Sequence, residues 1–193
     1  MTTQERTASS RREELLELAY AYVLRHGLAD LSLRPLAADI GSSPRVLLFL
    51  FGNKDGLIRE LLSRARAEEL SLLAELNTRP GGSLSNVAGE LWGWLSGPER
   101  RPVLALWVES YARSLVDPTG PWADFARTTV NDWLNLLAAT QDPAARNTEP
   151  GRSDRTVVLA VLRGALLDLL ATGDKARTTK AVTAQLATLA KSD

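Results

Sequence analysis

The sequence predicts an all-α fold, and three observations predict it. No segment alternates apolar and polar residues at period two for long, so no sheet is expected. Apolar residues recur instead at spacings of three and four, in runs cut by proline and glycine. Between Ser32 and Leu61 (SLRPLAADIGSSPRVLLFLFGNKDGLIREL) two short helices joined by a glycine turn run into a third. About nine helices are expected. They divide into an N-terminal three-helix helix-turn-helix domain at 1–53, a connecting helix at 54–77 and a C-terminal helical domain at 78–193.

Residues 1–9 are polar and are expected to be disordered. The first helix is expected from about Arg11 to His26, with Leu15, Leu16, Ala19, Tyr20, Val23 and Leu24 as its apolar stripe and Gly27 as its stop. His26 is the only histidine and has no cysteine or histidine companion, so it reads as a favourable charge at a helix C-terminus, not a metal ligand. Ser32 is an N-cap, Pro35 fits the first turn, and Leu36, Ala37 and Ile40 share one face. Gly41 ends that helix and Ser43-Pro44 starts the next. Leu47, Leu50 and Phe51 are expected in the core, with Leu48 and Phe49 exposed. The second helix of such a unit usually enters the DNA major groove. Gly52-Asn53 then breaks the chain. The following helix buries Leu57, Ile58, Leu61, Leu62, Ala65, Leu72, Leu73 and Leu76 and spans roughly 35 Å.

Arg79 to Ser83 reads as a loop, and helices are expected at about 84–96, 100–116, 121–140, 153–172 and 175–191. All five tryptophans lie between Trp92 and Trp133. Tryptophan is an ordinary core filler. Clustered with Glu109, Ser110, Arg113 and Asn131, these side chains also suit an apolar ligand pocket. Gln141 to Arg155 lacks large apolar residues and is expected to be mobile. Val157 to Ala171 is apolar nearly all round, so it needs cover on more than one side. Ala160, Gly164 and Ala171 leave a small-residue stripe there, and Val182, Leu186 and Leu189 repeat at spacings of four and three in the last helix.

The composition, at 45% hydrophobic and 24% charged over 193 residues, is that of a soluble globular protein. The absence of cysteine excludes disulfides, thiolate metal sites and cysteine nucleophiles. No apolar run reaches the roughly 18 to 20 residues of a membrane helix and no signal peptide is seen, so the cytoplasm is the expected location. Net charge is zero, and residues 1–60 carry as many acids as bases, so placement must carry the argument. Arg6, Arg11 and Arg12 are expected on a flexible arm. Arg34, Arg45 and Lys54 each stand in the first turn of a helix, where free N–H groups already favour phosphate. Glu13, Glu14 and Glu17 are expected to face away from DNA.

Arg12 to Leu62 resembles the N-terminal domain of the tetracycline-repressor (TetR) family of bacterial transcription regulators. The matching residues are Leu15, Leu16, Ala19, Val23, Gly27, Ser32, Arg34, Leu36, Ala37, Gly41, Ser43, Leu47, Phe51, Lys54 and Leu57. The family usually carries a tyrosine and polar or basic residues late in the recognition helix, where this chain has Leu48, Phe49 and Leu50. The resemblance implies a homodimer that binds a palindromic double-stranded DNA operator as a repressor and responds to an unknown small-molecule effector, with no cofactor. It assigns groove contacts to Ser43, Arg45, Val46, Leu48 and Phe49, and phosphate contacts to Arg34 and Lys54. Ligand contacts are expected from Trp92, Trp107, Glu109, Tyr111, Arg113, Phe125, Asn131 and Trp133. The dimer interface is expected at Leu159, Ala160, Gly164, Leu167, Val182, Leu186 and Leu189. The alternative is a helical ligand-binding or protein-interaction protein that has lost DNA recognition. An enzyme is not expected, since G-x-x-x-x-G-K, G-x-G-x-x-G and H-E-x-x-H are all missing and the single histidine has no triad around it.

Overall fold

The computed structural model describes the backbone of residues 3–77 and 83–189, and the side chains of 10–71 and 83–189. The helices are α1 (Thr3–His26), α2 (Leu33–Asp39), α3 (Pro44–Phe51), α4 (Lys54–Asn77), α5 (Leu84–Leu95), α6 (Arg101–Val116), α7 (Phe125–Thr140), α8 (Pro143–Arg146), α9 (Glu149–Thr172) and α10 (Lys175–Leu189). A 3-10 turn, Pro98–Arg100, leads into α6. No strand occurs among the described residues, and none of their helices is long and apolar enough to cross a membrane.

The chain forms two compact units. One is Met1–Ala67 with Ala105–Ala126; the other is Glu68–Leu104 with Arg127–Asp193. Compared with the division expected at 53 and 77, the N-terminal unit takes in the first part of α4 and a segment more than 35 positions downstream of it. The reason is burial. Leu15, Ala19, Tyr20 and Val23 of α1, Leu36 and Ala37 of α2, Leu47 and Phe51 of α3, and Leu57, Ile58, Leu61 and Leu62 of α4 form one core. Leu106, Trp122 and Phe125 complete it, and each buried side chain of this size contributes about 1.5–3 kcal/mol.

In the second unit α5 buries Leu84, Val87, Ala88, Leu91, Trp92 and Leu95; α9 buries Val158, Leu159, Leu162 and Leu166; α10 buries Val182 and Leu186. Trp92 Nε1 donates to Thr179 Oγ1 at 3.0 Å and Arg101 Nη2 to the Leu170 carbonyl at 2.9 Å, which pin α5 and the start of α6 to the C-terminal helices.

Three expectations are corrected. The helix α1 starts at Thr3, not near Arg11, because Gln4, Glu5 and Arg6 are good helix formers and nothing before Arg11 breaks the run. In consequence Arg11 and Arg12 stand on a helix and not on a flexible arm; the side chain of Arg6 lies outside the described residues. The stretch Gln141–Arg155, expected to be mobile, folds into α8 and the first turns of α9. Polar bonds order it in place of apolar burial. Asp142 Oδ1 accepts from Ala144 N–H at 2.7 Å and Thr148 Oγ1 from Gly151 N–H at 3.1 Å. Arg155 Nη1 donates to Gln141 Oε1 at 3.0 Å and to the Arg146 carbonyl at 2.7 Å. The short α8 also brings the helices among the described residues to ten, against about nine expected. The side chains of Leu72, Leu73 and Leu76, and residues 79–82 of the expected loop, lie outside the described residues.

Candidate nucleic-acid interface

The helix pair α2–α3 is set by local backbone chemistry. Ser32 has the extended backbone of an N-cap, without a side-chain hydrogen bond. At the other end of α2, Gly41 takes φ +64°, Ser42 N–H donates to the Ala37 carbonyl at 2.8 Å and Gly41 N–H to Ala38 at 3.4 Å. This paired arrangement is a Schellman stop, which needs a residue at ease in the left-handed region. Ser43 then caps α3, its Oγ accepting from Val46 N–H at 3.3 Å, with Pro44 at the first helical position. Beyond α3, Asn53 Oδ1 accepts from Gly56 N–H at 2.7 Å. A Cβ on Gly56 would stand 2.1 Å from the Phe51 carbonyl oxygen, so this turn admits only glycine there without shifting.

Those caps fix which side of α3 faces out. Leu47 and Phe51 are buried and Leu50 packs against the same core. Val46 is 39% exposed, Leu48 41% and Phe49 84%. Arg45 is exposed beside them, as are Arg34 near the start of α2 and Lys54 at the start of α4. All the expected DNA-contacting residues are therefore at the surface or, for Ser43, half-buried.

Ion pairing sharpens the electrostatics. Arg12 holds Glu60 at 2.7 Å, Arg64 holds Glu17 at 2.6 Å, Arg25 holds Asp39 at 2.7 Å and Arg11 holds Glu14 at 2.6 Å. Arg12 also lies over the Phe51 ring, 5.2 Å from its centroid. These pairs occupy four of the acids of the unit and the bases nearest them. Among the described residues no ion pair engages Arg34, Arg45 or Lys54, each in the N-terminal turn of its helix. Asp55, next to Lys54, is an exposed acid in the first helical turn, where the helix dipole favours a negative charge. A balanced net charge thus conceals unpaired cations at the helix-turn-helix.

The residues expected around a ligand divide between the units. Trp107, Glu109, Tyr111, Arg113 and Phe125 belong to the first; Trp92, Asn131 and Trp133 belong to the second. Trp107 and Tyr111 have ring centroids 5.5 Å apart, and Phe125 lies in the core. Glu109 Oε2 accepts a hydrogen bond from the Leu28 backbone N–H at 3.0 Å, while its Oε1 is buried with no hydrogen-bond partner among the described residues. Trp133 Nε1 donates to Glu69, and Trp92 is committed to Thr179. Arg113 and Asn131 are exposed. The partners Glu69 and Thr179 were not expected. Both lie more than 60 positions from the tryptophans they bind, beyond any local spacing signal.

The expected dimer residues separate by face. Leu159, Val182 and Leu186 are buried within the protomer, and Leu189 is half-buried. Ala160 and Gly164 are exposed and Leu167 is 47% exposed, one helical face of α9 that also carries Val157 and Ala171.

No protein-family model matches the sequence. No curated protein matches it. Solved structures do match in fold. A transcriptional regulator from Rhodococcus sp. Rha1 is 19% identical, with a TM-score of 0.77 over 94% of this chain and 96% of that one. A TetR transcription regulator from Haloarcula marismortui ATCC 43049 is 16% identical, with a TM-score of 0.73 over 94% and 98%. The multidrug binding protein EbrR in complex with imidazole is 26% identical, with a TM-score of 0.66 over 92% and 89%; its ethidium complex matches at the same identity. The chain thus has the fold of these solved proteins, a TetR transcription regulator among them.

Proposed function

We propose that the protein is a DNA-binding transcription regulator, a homodimeric repressor that sets one α3 into each major groove of a palindromic operator in the cytoplasm. The observation that carries this reading is the exposed recognition helix framed by three cations, Arg34, Arg45 and Lys54, that have no ion pair among the described residues. Each stands in the first turn of a helix, where the helix dipole adds to its pull on an anion. Two-fold symmetry would fix the half-site spacing. Selection from random duplexes by the purified protein tests it: an enriched palindrome supports the reading, and no enrichment at low salt overturns it.

A small-molecule effector completes the proposal. The multidrug binding protein EbrR is solved in complex with ethidium, and this chain carries five tryptophans between Trp92 and Trp133. Ethidium and imidazole are therefore the first probes, read by quenching of the five tryptophans in the absence of DNA. An effector that lowers operator affinity must be weakened by operator to the same degree. For the dimer, the exposed Ala160–Gly164–Leu167 face supports close approach of a second α9.

The second reading, an interaction protein that no longer reads DNA, is favoured by one observation, the 84% exposure of Phe49. Salt separates the two. Phosphate contacts make affinity fall steeply with ionic strength, whereas an apolar protein contact does not.

A further inference from the structure

The helix α3 has the sequence PRVLLFLF. Arg45 is its one side chain able to hydrogen-bond a base edge. Ser43, the N-cap before the helix, accepts from Val46 N–H at 3.3 Å and keeps only its hydroxyl proton to donate. Past the first turn the outward side chains are Val46, Leu48 and Phe49, all apolar. Each base pair offers the major groove hydrogen-bonding groups, and only thymine adds an apolar one, its C5-methyl. A guanine or cytosine edge against Leu48 and Phe49 would lose its water and gain no partner. We infer that Leu48 and Phe49 select thymine by its C5-methyl group, so that this protein reads T-rich half-sites with Arg45 as the one polar reader on α3 itself.

This inference rests on the DNA-binding reading and goes beyond it by naming what the helix recognises. The flanking charge argues for DNA over a second copy of the chain on this face. Arg34, Arg45 and Lys54 are exposed with no ion pair among the described residues, which suits a polyanion, and a second copy would bring the same cations against them.

The test replaces thymine by deoxyuridine at each half-site position of the selected duplex, removing the methyl and keeping every hydrogen bond. Burial of one methyl corresponds to about a fourfold change in affinity, and loss of one in each half-site to roughly fifteenfold. The expected result is such a loss at one or two positions per half-site, and its disappearance in Phe49→Ala or Leu48→Ala. Both positions are exposed, so the variants fold. A duplex bound with a steep salt slope yet indifferent to deoxyuridine overturns the inference and leaves the DNA-binding reading standing. Failure of the native protein to bind any duplex at low salt overturns both. A Phe49→Ala variant that changes the oligomeric state and not the deoxyuridine effect also overturns it, assigning the face to self-association.

Discussion

The carboxylate of Glu109 on α6 accepts a hydrogen bond from the backbone N–H of Leu28, in the turn that leaves α1, across 81 positions of sequence. Gly27, with φ +80°, makes room for it: a Cβ there would stand 3.3 Å from Glu109 Oε2. A hydrogen bond to a charged acceptor contributes about 1.5–3 kcal/mol, and its loss leaves the N–H of a buried leucine unsatisfied. We expect Glu109→Ala to lower stability by about 1–3 kcal/mol in chemical denaturation and Glu109→Gln by less, since the amide oxygen still accepts. Equal losses for the two variants would contradict this.

The same segment supplies Leu106, Trp122 and Phe125 to the core around α1–α4. A fragment ending at residue 77 therefore exposes apolar surface that the whole chain buries. It is expected to unfold at markedly lower denaturant than the full protein, measured by circular dichroism. A fragment as stable as the whole would show that α6 is dispensable to this unit.

Gly56 is fixed by a close approach and not by its φ. Its Cβ would meet a backbone oxygen, that of Phe51, at 2.1 Å, and backbone yields less readily than a side-chain tip. Gly56→Ala is expected to cost about 1–3 kcal/mol and to displace α3, weakening operator binding beyond the loss of folded protein. Binding and stability unchanged from the native protein would count against the turn as described.

The two faces of α9 give opposite predictions. Leu159 is buried within the protomer, so Leu159→Glu should prevent folding. Leu167 is 47% exposed, so Leu167→Glu should leave the helix content intact and yield a monomer in sedimentation. A Leu167→Glu protein that remains dimeric would move the proposed interface elsewhere.

Where α9 turns into α10, Arg177 grips Asp168 with two hydrogen bonds, of 2.7 and 2.6 Å. Those bonds, with the guanidinium charge, hold the Asp168 carboxyl below its ordinary range. A carboxyl lowered on folding stabilises above its unfolded pKa, and that contribution is lost as pH falls through the folded value. The pair is therefore intact at neutral pH and released only below the usual carboxylate range. An NMR titration should find Asp168 low in the native protein and ordinary in Arg177→Ala; no movement would refute the pairing.

Much of the helix-turn-helix was legible because its signals are local. Gly41, Ser43-Pro44 and Asn53 each act within a few residues, and the structure uses them as caps and stops. The exposure of Leu48 and Phe49 followed from the same short period. What escaped was set by distance or by polar bonding. Glu109 reads locally as a polar group among aromatics, and only the fold brings Leu28 to it. Gln141–Arg155 lacks apolar burial, and its order comes from Arg155 and Gln141 hydrogen bonds that no spacing announces. Along α9, periodicity separates two apolar faces but does not say which one the chain covers itself.

The salt dependence of binding tests the central claim most directly. Affinity for the selected duplex would be measured between about 50 and about 200 mM salt for the native protein and for a variant with Arg34, Arg45 and Lys54 all changed to alanine. The account predicts a steep native slope that becomes shallower by roughly 0.9 for each phosphate contact removed. Native binding independent of salt, or the same slope in the variant, would contradict it.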